Sequence, residues 1–140
     1  MACSPPRGST LVKAEAVVYV KDLGRMRSFY ERCTGLEVGD AGEHYAVLES
    51  DTWRLSLVVV ADPVAATIQL SVPVRRREET AVKLAFAVPR IEALRSTVAA
   101  LGGQVDPAST QWDFLGFRRC DATDPEGNVI QLLEPLAEQT

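Results

Sequence analysis

Apolar and small residues alternate along Glu15 to Val20 (EAVVYV). The period then changes: Leu23, Met26, Tyr30 and Cys33 follow at i, i+3, i+7 and i+10, one face of a helix. The same switch recurs from Lys83, where KLAFAV leads into Ile91, Leu94, Val98 and Leu101. An offset of 68 residues superposes both strands and both helical faces, placing Glu15 on Lys83. Asp22 has the chemistry of an N-cap for the first helix, and Gly35 and Gly102-Gly103 read as C-terminal stops. Arg90 occupies the corresponding N-cap position of the second helix, which predicts a weaker start.

Short strands are predicted after each helix, near 36–39, 43–50 and 53–60 in the first half and near 104–108, 115–123 and 128–134 in the second. Asp40-Ala41-Gly42, Ser50-Asp51-Thr52 and Pro125-Glu126-Gly127 supply turns. The segment QWDFLGFRR is read as a loop rich in aromatic residues. Each half is therefore βαβββ, and the expected fold class is α+β: two such modules in a curved mixed sheet, helices outside and a concave cup inside. The modules are placed at about 12–66 and 80–135 with a linker at about 67–79. Residues 1–11 and 136–140 are expected to be flexible ends. A single helix covers only one face of its sheet, so the other face meets its twin or a ligand.

In the alternating strands, the helix-facing set is Ala16, Val18, Val20, Leu55, Leu57, Leu84, Phe86, Val88, Ile130 and Leu132. Glu15, Tyr19, Arg54, Ser56, Lys83 and Gln131 fall on the opposite face, the cup.

Composition changes this picture little. The chain has 140 residues, 46% apolar and 24% charged, with a net charge of -4, which gives no reason to expect nucleic acid or an anionic membrane as partner. The run Arg75-Arg76-Arg77 is followed at once by Glu78-Glu79 and reads as a solvated linker. Cys3, Cys33 and Cys120 are widely spaced and odd in number, as expected of free thiols in a cytoplasmic protein.

The paired βαβββ order, the segment YVKDLGRMRSFYERCTGLEV and the segment DATDPEGNVIQLLEP resemble the vicinal oxygen chelate superfamily over about residues 12 to 135. That superfamily includes glyoxalase I, extradiol dioxygenases, fosfomycin-resistance transferases and bleomycin-resistance binding proteins. In its enzymes, four side chains from the first and last strands of each module hold one divalent metal. The resemblance carries these positions onto Glu15, Ser56, Lys83 and Gln131, where the family has His or Gln, Glu, His and Glu. A protonated lysine has no lone pair, and serine and glutamine are weak ligands, so no metal and no other cofactor is expected.

Glu15 and Lys83 are instead expected to form an ion pair, flanked by Ser56 and Gln131. That pair reads as structural, as a recognition element for a polar ligand, or as an acid–base pair, with Glu15 and Lys83 the candidate catalytic residues. The leading expectation is metal-free binding of a small organic molecule by Glu15, Tyr19, Arg54, Ser56, Lys83, Trp112, Phe114 and Gln131. A lyase, isomerase or tailoring enzyme is the alternative, followed by a metal enzyme using Glu15, His44 and water. His44 otherwise reads as a rim residue, and Cys120 as a packed thiol. Superfamily members of this size usually pair, which implies a homodimer.

Overall fold

The structure, a computed structural model, describes residues 13–137. Cys3 and the expected flexible N-terminus lie outside the described residues, as do the last three positions of the expected tail.

The first module runs β1 (Ala14–Val20), α1 (Leu23–Thr34), β2 (Glu37–Ala41), β3 (Tyr45–Glu49) and β4 (Trp53–Val59). A four-residue helix, α2 (Asp62–Ala65), leads into the linker. The second module runs β5 (Leu84–Ala87), α3 (Ile91–Ala100), β6 (Gln104–Val105), β7 (Trp112–Phe114), β8 (Phe117–Thr123) and β9 (Val129–Pro135). The sheet orders are β1-β4-β3-β2 and β5-β9-β8-β6, with β7 added on β8. In both modules the opening strand runs parallel to the closing one. Val17 opposes Ser56, and Ala85 opposes Gln131, so the 68-residue offset between Val17 and Ala85 survives in the strand register.

Both helices start on that offset, at Leu23 and Ile91. The Asp22 side chain accepts from Arg25 N at 3.1 Å, and Gly35 closes α1 at φ 75°, in the left-handed region. Arg90 makes no side-chain cap, as expected, but the Glu134 carboxylate of β9 accepts from Ile91 N at 2.8 Å. An acceptor far along the chain thus satisfies a helix start that looked uncapped.

The α+β class of mixed sheets is as expected, with one open sheet per module, since β1 and β5 each pair on only one side. One expectation is corrected. The segment QWDFLGFRR is not a loop: it folds as the β7–β8 hairpin, turning on Leu115 (φ 49°) and Gly116 (φ 80°). Positive φ at both central residues matches the twist of the strands they join. A leucine in the first of these positions hid the turn in the sequence.

One apolar core spans both modules. Met26, Phe29 and Tyr30 of α1, Leu55 and Leu57 of β4, Phe86 of β5, Val98 of α3, and Ile130 and Leu132 of β9 are all buried in it. Phe86 is the hinge pin, its ring 5.5 Å from Tyr30 and 5.3 Å from Trp53 across the module boundary. Cys33 and Cys120 are buried, and burial pushes the Cys33 thiol up to about 11 and raises that of Cys120. Both are packed thiols and not nucleophiles.

The D-P-E-G-N turn (124–128) locks the modules together. Asp124 accepts from Tyr30 Oη (2.6 Å), Glu126 N (2.9 Å), Asn128 N (3.0 Å) and Asn128 Nδ2 (2.8 Å). Glu126 reaches the start of α1 and accepts from Lys21 N and Asp22 N at 2.8–2.9 Å. Gly127 sits at φ 87° with the Arg75 carbonyl against the place where a Cβ would stand, so both backbone and space require glycine.

Arg77 N donates to Gly127 O at 2.8 Å, and Arg76 pairs with Asp106 at 2.5 Å and Glu78 at 3.3 Å. The arginine run is therefore docked on the second module, unlike the solvated linker expected.

Burial, then the Asp124 carboxylate, pushes the Tyr30 hydroxyl well above its ordinary 10.0. Its contribution is full below pH 10 and is lost above it, where the unfolded chain ionises and the folded one resists. Tyr30→Phe is expected to cost about 1–2 kcal/mol at neutral pH, for a lost hydrogen bond to a charged partner. The deficit should shrink as the pH rises above about 10 in urea unfolding. A pH-independent deficit would remove the titration argument.

Candidate functional site

Burial alternates along β1 as its sequence pattern predicts. Ala16, Val18 and Val20 pack toward the core, while Val17 and Tyr19 are 51% and 67% exposed on the other face. Tyr45, Trp112 and Phe114, at 37%, 41% and 55%, share that helix-free face through their pairing with Val58, Arg119 and Phe117. Five large apolar side chains thus lie bare on the side that carries the polar residues of interest.

On the first sheet, Ser56 Oγ donates to Glu15 Oε1 at 2.5 Å. Arg54 and Lys13 both pair with Glu49, at 3.2 and 2.9 Å. The hydrogen bond from Lys13, and then Arg54, hold the Glu49 carboxyl below its ordinary range.

On the second sheet, Lys83 Nζ pairs with Asp121 Oδ2 at 2.8 Å. Gln131 Nε2 donates to Asp121 Oδ1 at 3.3 Å, and Gln131 Oε1 accepts from Arg119 Nη1 at 3.0 Å. The expected Glu15–Lys83 pair is not formed: Asp121, one strand beyond Gln131, takes the ammonium, and Glu15 is in no ion pair within 4.0 Å among the described residues. Alternation places Asp121 on the cup face, but which carboxylate meets the lysine depends on side-chain reach within one sheet.

Arg119 was absent from the expected set. Its guanidinium lies 5.2 Å from the Phe114 ring centroid and 6.0 Å from that of Phe117, and its Nε donates to Phe114 O at 3.1 Å. The signal was available: Arg119 alternates with Phe117 and Asp121 in the penultimate strand.

Where the two open sheet edges approach, a cavity of about 520 Å³ is lined by Val17, Tyr19, Val82, Leu84, Val129 and Arg77 among others. A larger hollow of about 630 Å³ lies under the linker, around Arg75, Arg76 and Glu126. The first adjoins the helix-free face; the second is walled by residues that dock the linker. His44 is exposed in the turn before β3 and its carbonyl accepts from Val59 N at 2.9 Å, a rim position as expected. Among the described residues, no group of three or more His, Cys, Asp or Glu is placed to hold a metal ion. No helix of the described residues is long and apolar enough to cross a membrane.

Two βαβββ modules, each with its helix on one face of a mixed sheet and a bare face opposite, define the vicinal oxygen chelate class. The chain belongs to the glyoxalase-like domain family, which matches residues 15–133. Among solved structures it is similar to a glyoxalase/bleomycin resistance protein from Albidiferax ferrireducens T118, with 21% identity and TM-score 0.61, covering 88% of this chain and 98% of the other. It is also similar to a glyoxalase/bleomycin resistance protein/dioxygenase family enzyme from Burkholderia phytofirmans PsJN, with 19% identity and TM-score 0.59 over 88% and 98%. A mutant fosfomycin resistance protein from Listeria monocytogenes, solved with Mn(II) and 1S,2S-dihydroxypropylphosphonic acid, shows 14% identity and TM-score 0.60 over 92% and 93%. At these identities the likeness establishes the fold alone. No curated protein sequence matches the chain significantly.

Proposed function

We propose that the protein binds a small organic molecule carrying aromatic rings on the helix-free face of its sheets, without a metal ion. The observation that carries this reading is that the helix-free face of each sheet leaves aromatic or apolar side chains bare and also carries hydrogen-bonding groups. At the edge of that face, a cavity of about 520 Å³ lined by Tyr19, Val17 and Leu84 among others falls within the size range of small-molecule sites, while the other residues proposed to bind lie outside it on the open faces. Tyr19, Trp112 and Phe114 supply ring surfaces; Glu15, Arg54, Ser56, Lys83 and Gln131 supply polar contacts.

The four inherited positions do not fit a divalent cation. Lys83 is an ammonium already held by Asp121, the Ser56 hydroxyl is spent on Glu15, and Gln131 is held between Arg119 and Asp121.

The test is a thermal-shift screen of polycyclic and glycopeptide compounds on protein dialysed against a chelator, with mass spectrometry of the recovered compound. A hit that raises the melting temperature and emerges unchanged is expected, and Trp112→Ala should weaken it about five- to tenfold through the lost ring contact. Binding that requires a stoichiometric metal would overturn the reading. Turnover that collapses in Glu15→Gln while binding survives would replace it with an acid–base enzyme.

A further inference from the structure

Arg119 differs from the other arginines around it. Arg118, next along β8, pairs with Asp113 and Glu134, and Arg76 pairs with Asp106 and Glu78. Arg119 is in no ion pair within 4.0 Å among the described residues, although it is a permanent cation in a chain of net charge -4.

It is nevertheless held firmly. The Phe114 carbonyl takes Nε, the Gln131 side-chain oxygen takes Nη1, and the Phe114 and Phe117 rings flank the plane. No protein acceptor among the described residues takes Nη2. The network continues through Gln131 to Asp121, which is already paired with Lys83 at 2.8 Å and approached by Arg76 at 3.9 Å, so this one carboxylate leaves Arg119 uncompensated. On the first sheet the cations Lys13 and Arg54 are taken up by Glu49, with Glu15 and Glu37 on the same face. The surplus positive charge therefore sits beside Trp112 and Phe114.

We infer that Arg119 is the anchor for an acidic group on the ligand, a carboxylate in the first instance, attached to a ring that lies against Trp112 and Phe114. A guanidinium fixed by neutral acceptors and rings gives up little side-chain freedom on binding, and its Nη2, without a protein acceptor among the described residues, is available to a carboxylate oxygen. The ring beside it supplies apolar area and the guanidinium supplies selection for charge. This rests on the reading that small molecules bind the helix-free face, and it narrows their class to aromatic acids.

The test compares 2-naphthoate with its uncharged isostere 2-naphthamide by calorimetric titration of the full chain. The acid should bind about tenfold more tightly, the worth of one charge-assisted contact of about 1.4 kcal/mol. Arg119→Gln should bring the two affinities together while leaving that for the amide in place, and Arg119→Lys should restore part of the difference. In the wild type the preference should shrink as salt rises to roughly 0.5 M, a readout independent of whether the variants fold. Equal binding of both probes by the wild type overturns the assignment of Arg119 and leaves the aromatic-ligand reading standing. Binding of neither overturns both.

Discussion

Asp124→Ala is expected to lower the free energy of unfolding by about 3–5 kcal/mol, the cost of breaking a buried charged network by removing one partner. The carboxylate is fully buried and takes four hydrogen bonds, three from its own turn and one from Tyr30 of the other module. Alanine leaves the Tyr30 hydroxyl and two backbone N–H groups without their acceptor in a dry site. A domain of ordinary stability has about 5–15 kcal/mol to lose, so the variant should unfold at a far lower urea concentration with an unchanged slope.

Burial raises the Asp124 carboxyl above its ordinary 3.8, against the lowering effect of the Tyr30 and Asn128 hydrogen bonds. A raised folded value means that this group's contribution is fullest in acid and declines as the pH climbs through that value. The deficit of the alanine variant should accordingly be larger near about pH 4 than near about pH 7. A loss under about 1 kcal/mol, the worth of one ordinary hydrogen bond, would show that the turn relaxes and the network is not what holds the modules.

Glu126→Ala is the second large effect, expected at about 2–4 kcal/mol because buried backbone donors lose a charged acceptor. Glu126 is 3% exposed, and its carboxylate meets Lys21 N and Asp22 N where α1 begins. A negative charge there also faces the positive end of the helix. The loss should be visible as faster hydrogen exchange at the start of α1, beyond the drop in global stability. Glu126→Gln separates the two causes: it keeps one acceptor oxygen and removes the charge, so it should retain about half of the stabilisation. Protection at α1 unchanged in Glu126→Ala would show that Asp22 alone caps the helix.

Both residues lie in a stretch that the sequence marked only as a turn. Its pattern, D-P-x-G-N before an apolar strand, was legible, and so was its left-handed glycine. That Asp124 and Glu126 also reach into the other module was not. Their partners Tyr30, Lys21 and Asp22 lie 94 to 105 residues earlier, and periodicity carries no information at that range.

The candidate site divides in the same way. Alternation assigned Glu15, Tyr19, Arg54, Ser56, Lys83 and Gln131 to the helix-free face, because side chains in a strand point up and down by necessity. Ser56 lies beside Glu15 as expected, but the partner of Lys83 did not follow: it is drawn to Asp121 within its own sheet, since a flexible side chain takes the nearest compatible group. Trp112 and Phe114 were noticed for their chemistry and misread as a loop, because Leu115 occupies a turn position that normally announces itself as glycine or asparagine. Arg119 is singled out only by its surroundings, the Phe114 and Phe117 rings and the Gln131 amide, which coordinates alone bring together.

What the sequence by itself determined is the repeat. The 68-residue offset, the change from a period of two to one of 3.6, and the glycine stops are local properties, and they dictate two βαβββ units with a bare face on each sheet. The tertiary structure alone decided how the units are joined and what the bare faces carry. The joint is made by two buried carboxylates reaching across the chain, and the surplus charge at Arg119 is left by pairings between residues on neighbouring strands. Both are set by distances in space between groups that the sequence keeps apart.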